Sequence, residues 1–216
     1  MKIIPVIHHL TNELTMSNAK ICSDEGAYGV FLISMTADNE DLPMLAKAIK
    51  GKYPNLKVGI NLLGKKAIDA VEISKLFELD MTWADNPIIT SSGVSEEAID
   101  IKCMIKGTDH MFFNSVAFKY QKSDSNPGIA AELSINCGFI PTTSGKATGS
   151  AANIEKIKEM KLAIGQSPLA VASGLDPENV VIYLDYLDYG LVATGISKDF
   201  HELDQDKLKL IIARTK

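Results

Sequence analysis

Three kinds of side chain in this sequence can do chemistry: a lysine, a carboxylate and a histidine, each at the end of an apolar run. In FFNSVAFKYQ, residues 112–121, strand alternation puts Phe113, Ser115, Ala117 and Lys119 on one face and Phe112, Asn114, Val116 and Phe118 on the other. Small Ser115 and Ala117 suit a crowded interior, so Lys119 is expected where that interior opens. An ammonium there can neutralise a substrate anion, act as an acid or form a Schiff base; alternatively it snorkels to the rim or pairs with a carboxylate. In MTWAD, residues 81–85, Met81, Trp83 and Asp85 share a face. Asp85 can serve as general base, hydrogen-bond ribose hydroxyls, or pair with Lys119. His8 and His9 point to opposite sides of their strand, so only one faces the same opening, and His9 is the catalytic candidate. Its alternatives are a hydrogen bond to substrate or a structural role. A metal site would need His9 together with carboxylates from other strands.

A second group of residues offers an anion site. PLAVASGLDPENVVIYLDYLDYGLVATGIS, residues 168–197, reads as strand, glycine turn, helix, strand, glycine turn. The strands are 169–173, stopping at Gly174, and 191–194, stopping at Gly195. Asp176, Pro177 and Glu178 open the helix between them as cap, first-turn proline and dipole partner. Two adjacent parallel strands that each end in a small residue plus glycine leave bare backbone N–H groups, and a larger residue would keep a phosphate away. The loop 142–149, TTSGKATG, adds Thr143, Ser144 and Gly145 as further candidates, as a lid or a second anion nest. It is not a P-loop, because Lys146 is followed by Ala147.

These residues need a scaffold that collects strand ends. Candidate strands begin near residues 3, 30, 58, 81, 111, 138, 168 and 190, with helical or capped stretches between them. Eight strand–helix units in one domain spanning residues 1–216 match a (β/α)8 barrel. An open doubly wound sheet usually has five or six strands and lacks the tandem glycine turns. In a barrel the polar residues at the carboxyl ends, including Asn61 after strand 57–62, converge on the active site, and the loops after the last two strands bind phosphate. His110 starts a strand at the opposite end and reads as structural, while His201 lies in the loop after the last strand.

Composition sets limits on function. The chain has 216 residues, 46% of them hydrophobic, and a net charge of −5 with both signs interspersed. No lysine or arginine stripe exists to release counterions, so a nucleic-acid surface is not expected. The three cysteines, Cys22, Cys103 and Cys137, are far apart and show no metal spacing, which suggests a reducing, cytoplasmic setting. No run reaches membrane-spanning length, and MKIIPVIHHL has no signal-peptide pattern. No cofactor or resident metal is expected. Barrels of this size often form homodimers, although no interface is readable here.

The run from Thr143 to Ser197 resembles the BtpA family of TIM barrels, through TSGKATG, an apolar strand into Ser173-Gly174, then DPENV and a strand into Thr194-Gly195. The family's first-strand motif, close to VHLxPLPG, is here IHHLTNEL, which keeps a histidine and lacks the prolines. The wider likeness is to phosphate-binding barrels such as phosphoribosylanthranilate isomerase. It implies that Gly174, Gly195 and Ile196, with Ser173, Thr194 and Ser197, hold a phosphate. The motifs HHL, FLIS, VGIN and SVAFKYQ are similar to those of proteins labelled adenine phosphoribosyltransferase-like, which hints at ribosyl-phosphate ligands. The expected function is an enzyme on a phosphorylated small molecule, a ribose phosphate or nucleotide, with isomerase, lyase or phosphoribosyl-transfer chemistry. The alternatives are a non-catalytic assembly protein, which the BtpA name would allow, and a metal-dependent lyase or hydrolase.

Overall fold

Eight short apolar runs form eight parallel strands that close on themselves. The computed structural model describes residues 1–35, 40–122 and 124–216, so the expected loop over residues 35–43 and that after residue 121 lie partly outside the described residues. The strands are β1 (Lys2–His8), β2 (Gly29–Ile33), β3 (Lys57–Asn61), β4 (Met81–Ala84), β5 (Met111–Ser115), β6 (Ile140–Ser144), β7 (Ala170–Ala172) and β8 (Tyr189–Val192). Each pairs in parallel with its sequence neighbours, and β1 pairs with both β2 and β8, which closes a (β/α)8 barrel. Register is explicit at the seam, where Ile4 faces Leu191 and Ile7 faces Leu32.

Among the described residues seven α-helices cover the outside: α1 (Asn12–Asp24), α2 (Leu42–Lys52), α3 (Ala67–Leu76), α4 (Glu96–Ile105), α5 (Pro127–Asn136), α6 (Ile154–Ile164) and α7 (Gln205–Arg214). Side-chain caps fix where several begin: Ser95 accepts from the Ala98 N–H, Asn153 from the Glu155 N–H, and Asp204 from the N–H groups of Asp206 and Lys207. None of the helices among the described residues is long and apolar enough to cross a membrane.

Two local expectations are corrected. Asp176 does not open an α-helix: it and Asn179 bond each other's backbone N–H groups, and only a single 3₁₀ turn follows, Val180–Tyr183. The β-branched run Val180, Val181, Ile182 resists helical packing against the preceding turn, and Val180 and Tyr183 are buried as anchors instead. The strand expected over 111–120 stops at Ser115, because Ala117 and Tyr120 adopt positive φ (46° and 63°). The polar loop before α4 holds a small hairpin, Ile89–Thr90 with Gly93–Val94.

Strands buried on both faces explain why the apolar runs alternate so weakly. Outward side chains such as Ile3, Ile7, Leu32 and Phe112 pack under the helices. Inward ones, including Ile4, Val6, Phe31, Met81, Trp83, Phe113 and Leu191, fill the barrel. Phe31 and Phe113 meet edge to face, with centroids 5.2 Å apart. This aromatic plug leaves the open space at the carboxyl end of the strands.

Candidate active site

A cavity of about 430 Å³ opens at that end. Its floor is apolar, with Val6, Ile33, Trp83, Ala172 and Leu191. Its wall and rim carry His8, Asp85, Lys119, Ser173 and Thr194. Five different strand ends therefore bring together residues up to 186 positions apart, counting from His8 to Thr194.

His8, not His9, faces the cavity. Ile4 and Val6 point inward along β1, and His8 continues that face. His9 turns the other way, and its Nδ1 pairs with the Thr15 hydroxyl at 2.8 Å at the start of α1. The His8 Nδ1 lies 2.9 Å from the Phe200 carbonyl oxygen. A carbonyl only accepts, so Nδ1 carries the proton and a neutral His8 keeps Nε2 as a free base. Burial holds His8 below its ordinary pKa, the Phe200 bond opposing and the nearby charges of His201 and Lys119 assisting. The loop that delivers Phe200 is built locally. Asp199 accepts from the N–H groups of His201 and Glu202, and buried Asn18 ties down the loop through the His201 carbonyl and the Leu203 N–H.

Asp85 follows β4 on the face of Met81 and Trp83. Burial raises its pKa, partly offset by the Asn61 amide, 3.2 Å from Oδ1, and by the Lys119 charge. Gln121 holds the Asp85 backbone, donating to its carbonyl at 2.7 Å. Asn61 itself lines an adjoining cavity of about 400 Å³ that shares Asp85 and Lys119 with the first.

Lys119 reaches the cavity by a different route from strand alternation. Beyond Ser115 the left-handed turn at Ala117 swings Phe118 inward, where it meets Trp83 edge to face at 6.1 Å. Ser115 lies inside as expected, accepting from the Trp83 indole N–H at 3.0 Å. Lys119 then sits in a tight turn whose N–H donates to the Ser144 hydroxyl at 2.8 Å, and its Nζ bonds the Thr148 hydroxyl at 3.3 Å. Among the described residues it forms no ion pair with Asp85.

The glycine corners lie side by side, but their glycines serve chain packing. A Cβ on Gly174 or on Gly145 would sit 2.1 Å from the Ser150 carbonyl oxygen, and one on Gly195 would sit 2.0 Å from the Leu175 carbonyl oxygen. These residues are small because another stretch of backbone presses on them, not to leave a surface bare. Among the described residues no acceptor takes the N–H of Gly174 or Gly195. Ser173, at φ 75°, and Thr194 both line the cavity. Ile196 is fully buried with its N–H on the Ala193 carbonyl, and the Ser197 hydroxyl donates to that same carbonyl, so neither faces the cavity. Thr143 is buried and bonded to the Ala117 carbonyl, and Ser144 positions the Lys119 turn.

Tyr120 and Thr148 lie at the rim, within the strand end and the loop 142–149 that the sequence pointed to, whereas sequence reasoning missed Phe200. The signal available for Phe200 was a lone aromatic in the polar loop SKDFHELD. Among the described residues no three metal-ligating side chains cluster, and His9 lines neither of the two cavities described above that Asp85 lines. His110 bonds Thr82 and the Leu79 carbonyl at the opposite end of the barrel.

No known family profile matches the chain. It is 28% identical over 184 residues to the uncharacterized protein MJ1115 of Methanocaldococcus jannaschii, covering 79% of this chain and 69% of that one. It is 24% identical over 195 residues to the uncharacterized protein PYRAB10620 of Pyrococcus abyssi, covering 84% and 74%. Among solved structures it is similar to phosphoribosyl anthranilate isomerase from Thermus thermophilus, with TM-score 0.71, 14% identity and coverage of 99% and 98%. A phosphoribosyl anthranilate isomerase in complex with reduced 1-(o-carboxyphenylamino)-1-deoxyribulose 5-phosphate gives TM-score 0.65, 14% identity and coverage of 100% and 98%. The 4-hydroxy-2-oxoglutarate/2-dehydro-3-deoxyphosphogluconate aldolase from TTHB1 gives TM-score 0.69, 10% identity and coverage of 99% and 94%. At these identities the likeness is one of fold.

Proposed function

We propose that the chain is an enzyme that binds a phosphorylated small molecule, a sugar phosphate or nucleotide, in the barrel mouth and catalyses an isomerase- or lyase-type proton transfer. One observation carries the reading: His8, Asp85 and Lys119 share a cavity with Ser173 and Thr194 at the last two strand ends. The phosphoryl group lies against Ser173, Thr194 and the N–H groups of Gly174 and Gly195, where a (β/α)8 barrel usually holds phosphate. The names of the similar barrels, and the likeness of residues 143–197 to the BtpA family, support that placement. His8 Nε2 takes a proton from carbon. Asp85, which keeps its proton to higher pH than a solvated carboxyl, gives one to the substrate oxygen. The Lys119 ammonium offsets the negative charge that builds between them.

A thermal-shift series tests this, because a ligand bound only by the native state raises the melting point. Sugar phosphates at about 100 times their Kd add about 2.7 kcal/mol, roughly 5–11 °C for a chain of this size. The parent sugars add nothing, and Thr194→Asp abolishes the effect. Equal shifts with phosphorylated and plain sugars, or none with either, overturn the proposal.

A further inference from the structure

We infer that the substrate carries a second phosphoryl group, seated outside the barrel mouth in a lysine-lined pocket, so that its class is a bisphosphorylated small molecule. The inference rests on the reading that the mouth holds the first phosphate. The pocket, of about 760 Å³, lies between the loops after β5 and β6 and the amino ends of α5 and α6. Four lysines line it: Lys119, Lys122, Lys146 and Lys156. Among the described residues none of the four is within ion-pair distance of a carboxylate, although the chain is net acidic and lysines elsewhere, such as Lys161 with Asp188, are paired. Asp124 also lines the pocket, but its carboxylate accepts from the N–H groups of Ser91 and Asn126.

Lys156 shows that the pocket is built. Its Nζ, half-buried, donates to the carbonyls of Ser144 at 2.7 Å and Ala117 at 3.0 Å. An ammonium has three donors, so one remains for an anion. Burial lowers its pKa, which means that a nearby negative charge would restore what desolvation removes. Both helix amino ends add positive potential, with Pro127 of α5 and Asn153 of α6 in the lining. Lys119 lines this pocket and the mouth cavity alike, so one ligand can span both.

Titration of the full chain with inorganic phosphate, followed through backbone amide NMR shifts, tests the inference. Two sets of amides should move, one around Ser173 and Thr194 and one around Lys146 and Asn153. The exposed double substitution Lys122→Met with Lys146→Met weakens the outer set by about tenfold or more and spares the inner one; Thr194→Asp does the reverse. Lys156 is left intact, because removing a half-buried ammonium from two carbonyls could cost the fold. Inner shifts alone, or outer shifts unchanged in the double variant, overturn the second phosphate and leave the mouth site standing. Outer shifts alone overturn the mouth site and with it the bisphosphate.

Discussion

The imidazole of His8 lies flat on the ring of Phe200, with centroids 4.1 Å apart and planes 1° from parallel. The same residue's carbonyl takes the His8 Nδ1 proton, so Phe200 sets both the plane and the tautomer of the ring. Phe200→Ala keeps the carbonyl and removes the cover. Burial is what depresses the His8 pKa, so it should rise toward its ordinary 6.5 in this variant. An NMR titration of the His8 ring protons reads the change, and an unmoved pKa would refute the role given to Phe200. Turnover should fall by about tenfold at acidic pH, where more of the variant's His8 is protonated and unable to act as base.

Asp85 is a carboxylate held in a site that disfavours its charge. Asp85→Asn should lower turnover by roughly 10²–10⁴-fold, the usual worth of a positioned acid or base. Because burial favours the uncharged form of Asp85, the neutral amide should leave the melting point at neutral pH close to that of the wild type. A variant that is active, or active site aside much less stable, would show that Asp85 is kept for structure.

Stability should fall on mild acidification. His8 and His110 both have pKa values lowered by burial, against the opposing carbonyl bonds of Phe200 and Leu79. The unfolded chain therefore binds more protons, and stability is full above 6.5 and lost as pH falls from there toward the folded values. Asp85, with a raised pKa, acts in the opposite sense nearer its ordinary 3.8. Melting curves from pH 7.5 to 5.5 should slope downward, and His110→Gln should flatten the slope. A flat wild-type profile would contradict this.

Gly174→Ala and Gly195→Ala should each destabilise the fold by about 1–3 kcal/mol or more through overpacking against backbone. At Gly174 the positive φ of 75° adds strain. Chemical denaturation measures this. Substitution at these glycines is therefore a poor probe of phosphate binding, and exposed Thr194 is the better position. Neutral substitutions would mean that Ser150 and Leu175 can move aside.

How far the sequence revealed this arrangement depends on what each residue's type encodes. The barrel was legible because strand and helix alternate at regular intervals and because caps are written in side chains: α6 and α7 begin directly after Asn153 and Asp204, as their types dictate. The end of β5 was not legible, since Ala117 and Tyr120 take left-handed conformations that neither residue type announces. His8 and His9 could not be told apart because β1 is apolar on both faces. The glycine corners were found, but a bare backbone and a backbone pressed by its neighbour require the same residue.

Ser150 sits against both Gly145 and Gly174, so the arch from 145 to 150 has fixed feet. Its crown is tied at the Ala147 carbonyl to the Ser150 N–H and the Ser173 hydroxyl, and it carries Lys146 over the outer pocket and Thr148 over the mouth. Filling either compartment thus bears on the same four residues. Whatever occupant settles first alters the grip on the next, and thermodynamic reciprocity makes that influence equal in both directions.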